Sequence, residues 1–270
     1  MVSKKQRSRK NNTRTSWDPV ASWYDGWMGP EGSQHHRELA IPALLDILQP
    51  QPGEKVLDVG AGQGVLAPAI AEAHAHYTGV DVSHKLLALA RRRHGRAGRF
   101  ICGDARRLAA LPELHAGEFD AVVFLLSIQN MDPLCPVLDS VAWALREDGR
   151  VVLLLTHPCF RVPRQSGWGW DAKRKLQYRR IDRYLTPLSV PMKAYPGKRR
   201  GVTLNFHRPL QTYINGLSEC GLLVDYLREL PYTARTSEGD GKAKRLAARE
   251  VPLFLGLRAF KIDPSHKLLR

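Results

Sequence analysis

The sequence predicts an α/β chain built on a doubly wound, mostly parallel sheet, and three observations predict it. The apolar, strand-type run Val56-Leu57-Asp58-Val59 leads straight into Gly60-Ala61-Gly62-Gln63-Gly64. A turn of alternating glycines there is where a nucleotide-like ligand sits, at the carboxyl end of the first strand of such a sheet. Further extended runs alternate with apolar stripes at helical spacing, as in a parallel sheet with crossover helices. At 270 residues with 43% hydrophobic content, the chain can also bury a full core.

The elements follow in order. Ile41, Leu44, Leu45 and Leu48 recur at helical spacing, and Pro50-Gln51-Pro52-Gly53 ends that helix before strand 1. After the glycine turn, Pro68 fits the first turn of a helix, where its missing N–H is no loss. Tyr77–Val82 reads as strand 2, and Ser83 as the N-cap of a helix carrying Leu86, Leu87 and Ala90. A short apolar strand precedes Cys102-Gly103-Asp104-Ala105, and Phe119–Leu126 is strand 4. Leu134, Val137, Leu138, Val141 and Leu145 mark a helix that stops at Glu147-Asp148-Gly149, before strand 5 at Val151–Leu155. Towards the C-terminus, Leu210–Cys220 reads as helical, Leu222–Leu230 as extended and Val251–Lys261 as a final strand.

Residues without Cβ let the backbone touch a ligand and aim N–H groups at it. The dinucleotide fingerprint has its third glycine at the sixth position, and here that position is Val65. The motif Asp58-x-Gly60-x-Gly62-x-Gly64 instead resembles the first motif of class I S-adenosylmethionine-dependent methyltransferases. Tyr77-Thr78-Gly79-Val80-Asp81-Val82-Ser83, Cys102-Gly103-Asp104-Ala105 and Phe119-Asp120-Ala121-Val122 resemble that family's next three motifs, in the same order. The resemblance covers roughly residues 50 to 156. It implies a Rossmann-like sheet of seven strands, ordered 3-2-1-4-5-7-6 with an antiparallel last strand, and S-adenosyl-L-methionine as cofactor.

The resemblance also assigns roles. Asp58 orients the turn and helps hold the methionine ammonium. Gly60, Ala61, Gly62, Gln63 and Gly64 form the cradle, Asp81 and Val82 meet the ribose, and Asp104 and Ala105 border the adenine. Leu126 and Ser127 end strand 4 beside the sulfonium. Tyr24 and His36, ahead of strand 1, close over the cofactor by analogy with similar family members.

The charge of +15 is unevenly spread. Residues 1–16 hold six Lys or Arg and no acid, and residues 161–200 hold twelve against Asp171 and Asp182, so the remainder is near neutral. The first stretch reads as a disordered basic tail and residues 17–262 as the catalytic domain. No run approaches the ~18 apolar residues of a membrane span. Met1–Ser16 has no apolar run of a secretory signal, and Cys102, Cys135, Cys159 and Cys220 form no C-x-x-C pair. These features suit reduced thiols in the cytoplasm and no structural metal. Nothing in the sequence sets an oligomeric state.

Residues 157–208 form an insert after strand 5 that is rich in aromatics, including Phe160, Trp168, Trp170, Tyr178, Tyr184 and Tyr195. Disorder depletes aromatics, so this reads as an ordered cap over the methyl donor. His157, directly after strand 5, is the candidate general base; Cys159 reads as a small buried hydrophobe.

After strand 4 the chain reads Leu126-Ser127-Ile128-Gln129-Asn130-Met131-Asp132. It has neither the Asn/Asp-Pro-Pro-Tyr/Phe motif of amino-group methyltransferases nor the Pro-Cys of cytosine-C5 enzymes at that place. The sequence therefore points to a small-molecule acceptor of anionic or aromatic character. RNA is the alternative acceptor, since basic and aromatic residues interleave in Arg174–Arg180. A binding module without catalysis is the third reading.

Overall fold

The computed structural model describes residues 17–193, 202–233 and 241–262. The basic tail 1–16 and Tyr195 lie outside the described residues. In chain order the regular elements are α1 (Ala21–Met28), α2 (Ile41–Leu48), β1 (Lys55–Val59), α3 (Ala67–Glu72), β2 (His76–Asp81), α4 (His84–His94) and β3 (Gly98–Cys102). Then come β4 (Phe119–Leu125), α5 (Leu134–Ala144), β5 (Leu145–Thr156), β6 (Ser166–Asp171), β7 (Leu176–Ile181), β8 (Leu188–Lys193) and β9 (Val202–His207). The chain closes with α6 (Leu210–Glu219), β10 (Leu222–Leu230), α7 (Lys242–Glu250) and β11 (Phe254–Lys261).

Seven strands form one sheet in the order β3-β2-β1-β4-β5-β11-β10. With the insert's β6–β9 set aside, this is the order 3-2-1-4-5-7-6. The first five strands pair in parallel, and β11 runs antiparallel to both neighbours. The chain reverses its winding between β1 and β4, so a crevice opens at their carboxyl ends.

Side-chain alternation sorts each central strand onto two cores. Leu57, Val59, Val122, Phe124, Leu153 and Leu155 join the face covered by α5 and α6, with Val137, Leu138, Val141, Tyr213 and Leu217. Val56, Ala121, Val123, Val152 and Leu154 face α2, α3 and α4, against Leu44, Ile47, Ile70 and Leu87. Burial on both faces explains why these strands read as continuous apolar runs in the sequence.

The helix termini follow their local signals. The Ser83 hydroxyl accepts from the Leu86 N–H at 3.2 Å and caps α4. Pro68 falls in the first turn of α3, and α2 ends on Gln49 in the left-handed region at φ 50°.

Two boundaries and one helix differ from expectation. Helix α5 stops at Ala144, because Leu145 already pairs with Phe119 in the β4–β5 ladder. The last strand starts at Phe254, since Val251 caps α7 and Pro252 brings no N–H to a ladder. Helix α7 itself, Lys242–Glu250, was not expected; its apolar stripe is only Ala243, Leu246 and Ala247, of which Ala247 alone is fully buried.

The insert consists of two antiparallel hairpins, β6–β7 and β8–β9. Arg179 donates to the Phe160 carbonyl at 2.8 Å, and Arg161 to that of Pro252 at 3.0 Å. The second hairpin is held by His207, which donates to the Tyr184 carbonyl at 2.6 Å. Arg208 follows β9 and donates to the Met131 carbonyl and the Asp132 carboxylate, both at 2.7 Å. Among the described residues no helix is long and apolar enough to cross a membrane, and no three His, Cys, Asp or Glu gather as a metal site.

Candidate functional site

A cavity of about 280 Å³ opens at the carboxyl ends of β1, β2, β3 and β4. Gly60, Gly62, Asp81, Val82, Asp104, Ala105, Leu126 and Tyr24 all line it. The sequence reading missed most of the rest of the wall: Trp17, Leu86, Arg106, Asn130, Met131, Asp132, Leu204 and Phe206. Leu204 and Phe206 alternate along β9, so a period-two pattern was the available signal for them.

The glycine turn is built differently from what its sequence suggests. The Gly60 and Ala61 N–H groups both donate to the Val80 carbonyl, at 2.8 and 3.1 Å. The Gly62 N–H donates to Asp81 Oδ2 at 2.9 Å, and that of Gly64 to the Ala61 carbonyl at 2.9 Å. These N–H groups are therefore spent inside the protein, which corrects the expectation that the turn aims them at a ligand. What the turn offers is space. Gly62 stands at φ +56° with no atom within 4 Å of where a Cβ would lie. Gly64, at φ +77°, does not line the cavity: a Cβ there would meet the Phe100 ring at 2.7 Å, so this glycine serves packing. Ala61 and Gln63 are buried and also lie outside the lining; Gln63 donates to the Gly29 carbonyl and ties the N-terminal segment to the turn.

The acids occupy distinct settings. Asp81 receives Gly62 N–H on one oxygen and Ser83 N–H on the other at 2.7 Å; burial raises its pKa against those bonds. Asp58 lies beneath the turn, off the cavity wall. It accepts from the Tyr77 hydroxyl at 2.8 Å through Oδ2, while Oδ1 is buried without a hydrogen bond. Burial pushes its pKa up to about 7, opposed by the Tyr77 bond and helped by the charge of Asp81. Asp104 caps the turn Ala105–Ala110 by accepting from Arg106 N–H, and its salt bridge to that same Arg106 lowers its pKa.

The cavity is closed from above by the N-terminal segment. Asp18 accepts from the Ser83 hydroxyl at 2.6 Å and from Lys85 N–H at 3.2 Å, and Arg93 donates to both oxygens of Asp25. These contacts hold Trp17 and Tyr24 edge to face at 5.2 Å on the wall. Burial, and then the charge of Asp81, drive the Tyr24 hydroxyl well above its usual pKa. His36 lies elsewhere. It is buried, its Nδ1 lies 2.8 Å from the Ser33 hydroxyl, and burial lowers its pKa to about 4.

His157 is likewise off the cavity. Its Nδ1 accepts from the Cys159 N–H at 3.2 Å, which leaves the proton on Nε2 to be donated to Glu229 Oε1 at 2.7 Å. With 1% of its surface exposed and burial depressing its pKa, the ring has no free lone pair for an acceptor's proton. Cys159 donates to the Tyr184 hydroxyl at 3.4 Å and also stands apart from the lining.

The fold and the cavity together define a nucleoside-type binding site at a topological switch point, with the Gly60, Ala61 and Gly62 amides bonded inside the protein. Over residues 56–149 the chain matches the model of a family described as a methyltransferase domain. It is 31% identical over 157 residues to a ubiquinone biosynthesis O-methyltransferase of Xylella fastidiosa, covering 56% of this chain and 63% of that protein. A demethylmenaquinone methyltransferase of Beutenbergia cavernae is 30% identical over 154 residues, 57% of this chain and 58% of the relative. Both matches span less than two thirds of the relatives' length. The crystal structure of an S-adenosylmethionine-dependent methyltransferase from Mesorhizobium loti superposes with a TM-score of 0.65 at 25% identity, covering 86% of this chain and 100% of that one. Over residues 56–149 in sequence, and in its fold, the chain is similar to the class I S-adenosylmethionine-dependent methyltransferases.

The residues present fit that cofactor. Open space at Gly62 admits a ligand against the backbone, and the committed N–H groups suit a nucleoside that carries no phosphate. Asp81, Val82, Asp104, Ala105, Leu126 and Ser127 all line the cavity in which such a ligand would lie.

Proposed function

We propose that this protein transfers a methyl group from S-adenosylmethionine to a small aromatic acceptor carrying a hydroxyl or similar nucleophile. The observation that carries the reading is the wall opposite the glycine turn. Trp17, Tyr24, Leu204 and Phe206 line a half-open cavity of about 280 Å³, with Met131 beside Gly60, which suits a metabolite rather than a polymer. The relatives named for ubiquinone biosynthesis and demethylmenaquinone methylation support an aromatic acceptor.

When bound, S-adenosylmethionine supplies an electrophilic methyl group on a sulfonium. The chain's own residues align the acceptor and keep water out, and such positioning can supply up to about 7–11 kcal/mol in well-oriented cases. Tyr24 and Trp17 line one side and Leu204 and Phe206 of β9 another, so we read the β9 part of the insert, rather than all of residues 157–208, as the cap. Asn130 lines the cavity with a buried Oδ1 that takes no hydrogen bond, and it would accept one from the acceptor. Asp81 and Asp104 serve the cofactor side. Asp132, held by Arg208, is then the lining carboxylate that would take the acceptor's proton. We give His157 a structural role instead.

The test is transfer of labelled methyl to a panel of catechols, phenols, quinols and amines, with total RNA alongside. Transfer to a phenolic compound, lowered by Asp132→Asn, is the expected result. Label in RNA alone would overturn the acceptor class, and no heat of binding with S-adenosylmethionine would leave only a module without catalysis.

A further inference from the structure

A second concavity of about 660 Å³ lies between the β6–β7 hairpin and the start of α7, sharing no residue with the cofactor cavity. Trp168, Trp170 and Gln177 form one wall, Gly241, Lys242 and Lys244 the other, and Lys175 stands at the end. Among the described residues no acid lines it. The β6–β7 register sets Trp168 opposite Arg179 and Trp170 opposite Gln177, so all four project from one face of the hairpin.

Trp168 and Trp170 are two apart on one strand, about 7 Å from each other along it, and 41% and 58% exposed. Large apolar rings on a surface call for a partner. The guanidiniums of Arg161 and Arg179 each lie 5.3 Å from the Trp168 ring centre, which fixes that ring. Tyr178 is on the opposite face, over Gly169, and takes no part.

We propose that this groove docks single-stranded nucleic acid, with bases stacked on Trp168 and Trp170 and phosphates along Lys175 and Lys242. Fixed aromatic platforms beside lysines are what such strands bind, because every base has a π-face and every linkage a negative charge. The shape favours a strand over a membrane. The tryptophans line a concave wall backed by α7, while the tip of the hairpin, Ala172-Lys173-Arg174-Lys175, presents charge and no apolar group to insert.

The experiment is fluorescence anisotropy of the full chain with a labelled oligouridylate of about 12 nucleotides, a length within single-strand site sizes, across a salt series. Wild type binds with affinity that falls steeply as salt rises. Trp170→Ala weakens binding by about tenfold, and the pair Lys175→Glu with Lys242→Glu weakens it and flattens the salt slope. Arg96→Glu with Arg99→Glu makes the same charge change in a separate basic groove at the amino ends of the strands and leaves affinity within about twofold. Unchanged affinity in the Trp170 and lysine variants overturns the proposal, as does equal loss in the Arg96 pair. Tighter binding to phosphatidylglycerol vesicles than to the oligonucleotide, lost in Trp170→Ala, would assign the groove to a membrane instead. S-adenosylmethionine binding, unchanged in every variant, shows that each is folded.

Discussion

Asp81 Oδ2 accepts the Gly62 N–H at 2.9 Å, while its other oxygen accepts the Ser83 N–H at 2.7 Å. One carboxylate thereby joins the glycine turn after β1 to the head of the helix after β2. It does so on the cavity wall, so the group expected to meet a ribose is also the brace of the turn beneath it.

Asp81→Ala removes the brace and the ribose contact together. S-adenosylmethionine affinity falls by more than about tenfold by calorimetry, since bonds to a charged acceptor are worth about 1.5–3 kcal/mol. Asp81→Asn keeps one acceptor and loses less. Wild-type affinity in Asp81→Ala would refute both roles.

Gly62 and Gly64 separate under the same substitution. At φ +77° and 2.7 Å from the Phe100 ring, Gly64→Ala is strained twice over and costs about 2–4 kcal/mol in chemical denaturation. Gly62→Ala meets no protein atom, so it costs about 1–2 kcal/mol of backbone strain. Its larger effect is on cofactor affinity, because the new methyl occupies ligand space. Equal losses of stability in the two variants would contradict this division.

Asp58 makes stability depend on pH. Its pKa rises from 3.8 to about 7 in the fold, so the folded state keeps the proton longer than the unfolded one. The stability this confers is complete below pH 3.8 and is lost as pH rises to about 7, at about 1.4 kcal/mol for each pH unit in which the two states differ by a proton. Asp58→Asn cannot titrate. Denaturation midpoints between pH 5 and 8 should decline in wild type more than in the variant; parallel curves would show that Asp58 ionises normally.

His157→Ala should leave the pH profile of turnover unchanged and lower stability by about 1–3 kcal/mol, because the Cys159 N–H loses its acceptor. A profile that loses its acidic limb in the variant would restore His157 as the proton acceptor.

The sheet was legible because β1, β4 and β5 are apolar on both faces, and the glycine turn and Ser83 punctuate them by local rules. That Asp81, Val82, Asp104 and Ala105 reach the cavity wall was legible for the same reason, as each lies at or just past a strand end. The upper wall was legible only at Tyr24, through the family resemblance. Trp17 and Tyr24 reach the cavity through side-chain latches between Asp18 and Ser83 and between Asp25 and Arg93, pairs 65 and 68 residues apart that no local pattern reveals. His157 had the right address in the sheet, but its orientation depends on Glu229, 72 residues on.

The inward bonding of the Gly60, Ala61 and Gly62 amides decides what this crevice turns away. Nicotinamide and flavin dinucleotides and nucleoside triphosphates find no amide cradle for their phosphates at this turn, however well their ribose and base fit. That refusal is written in main-chain hydrogen bonds at Gly60 and Ala61 and in the Asp81 carboxylate at Gly62, so replacing side chains around the ligand would free at most the Gly62 amide. The peptide between β1 and α3 would have to be refolded.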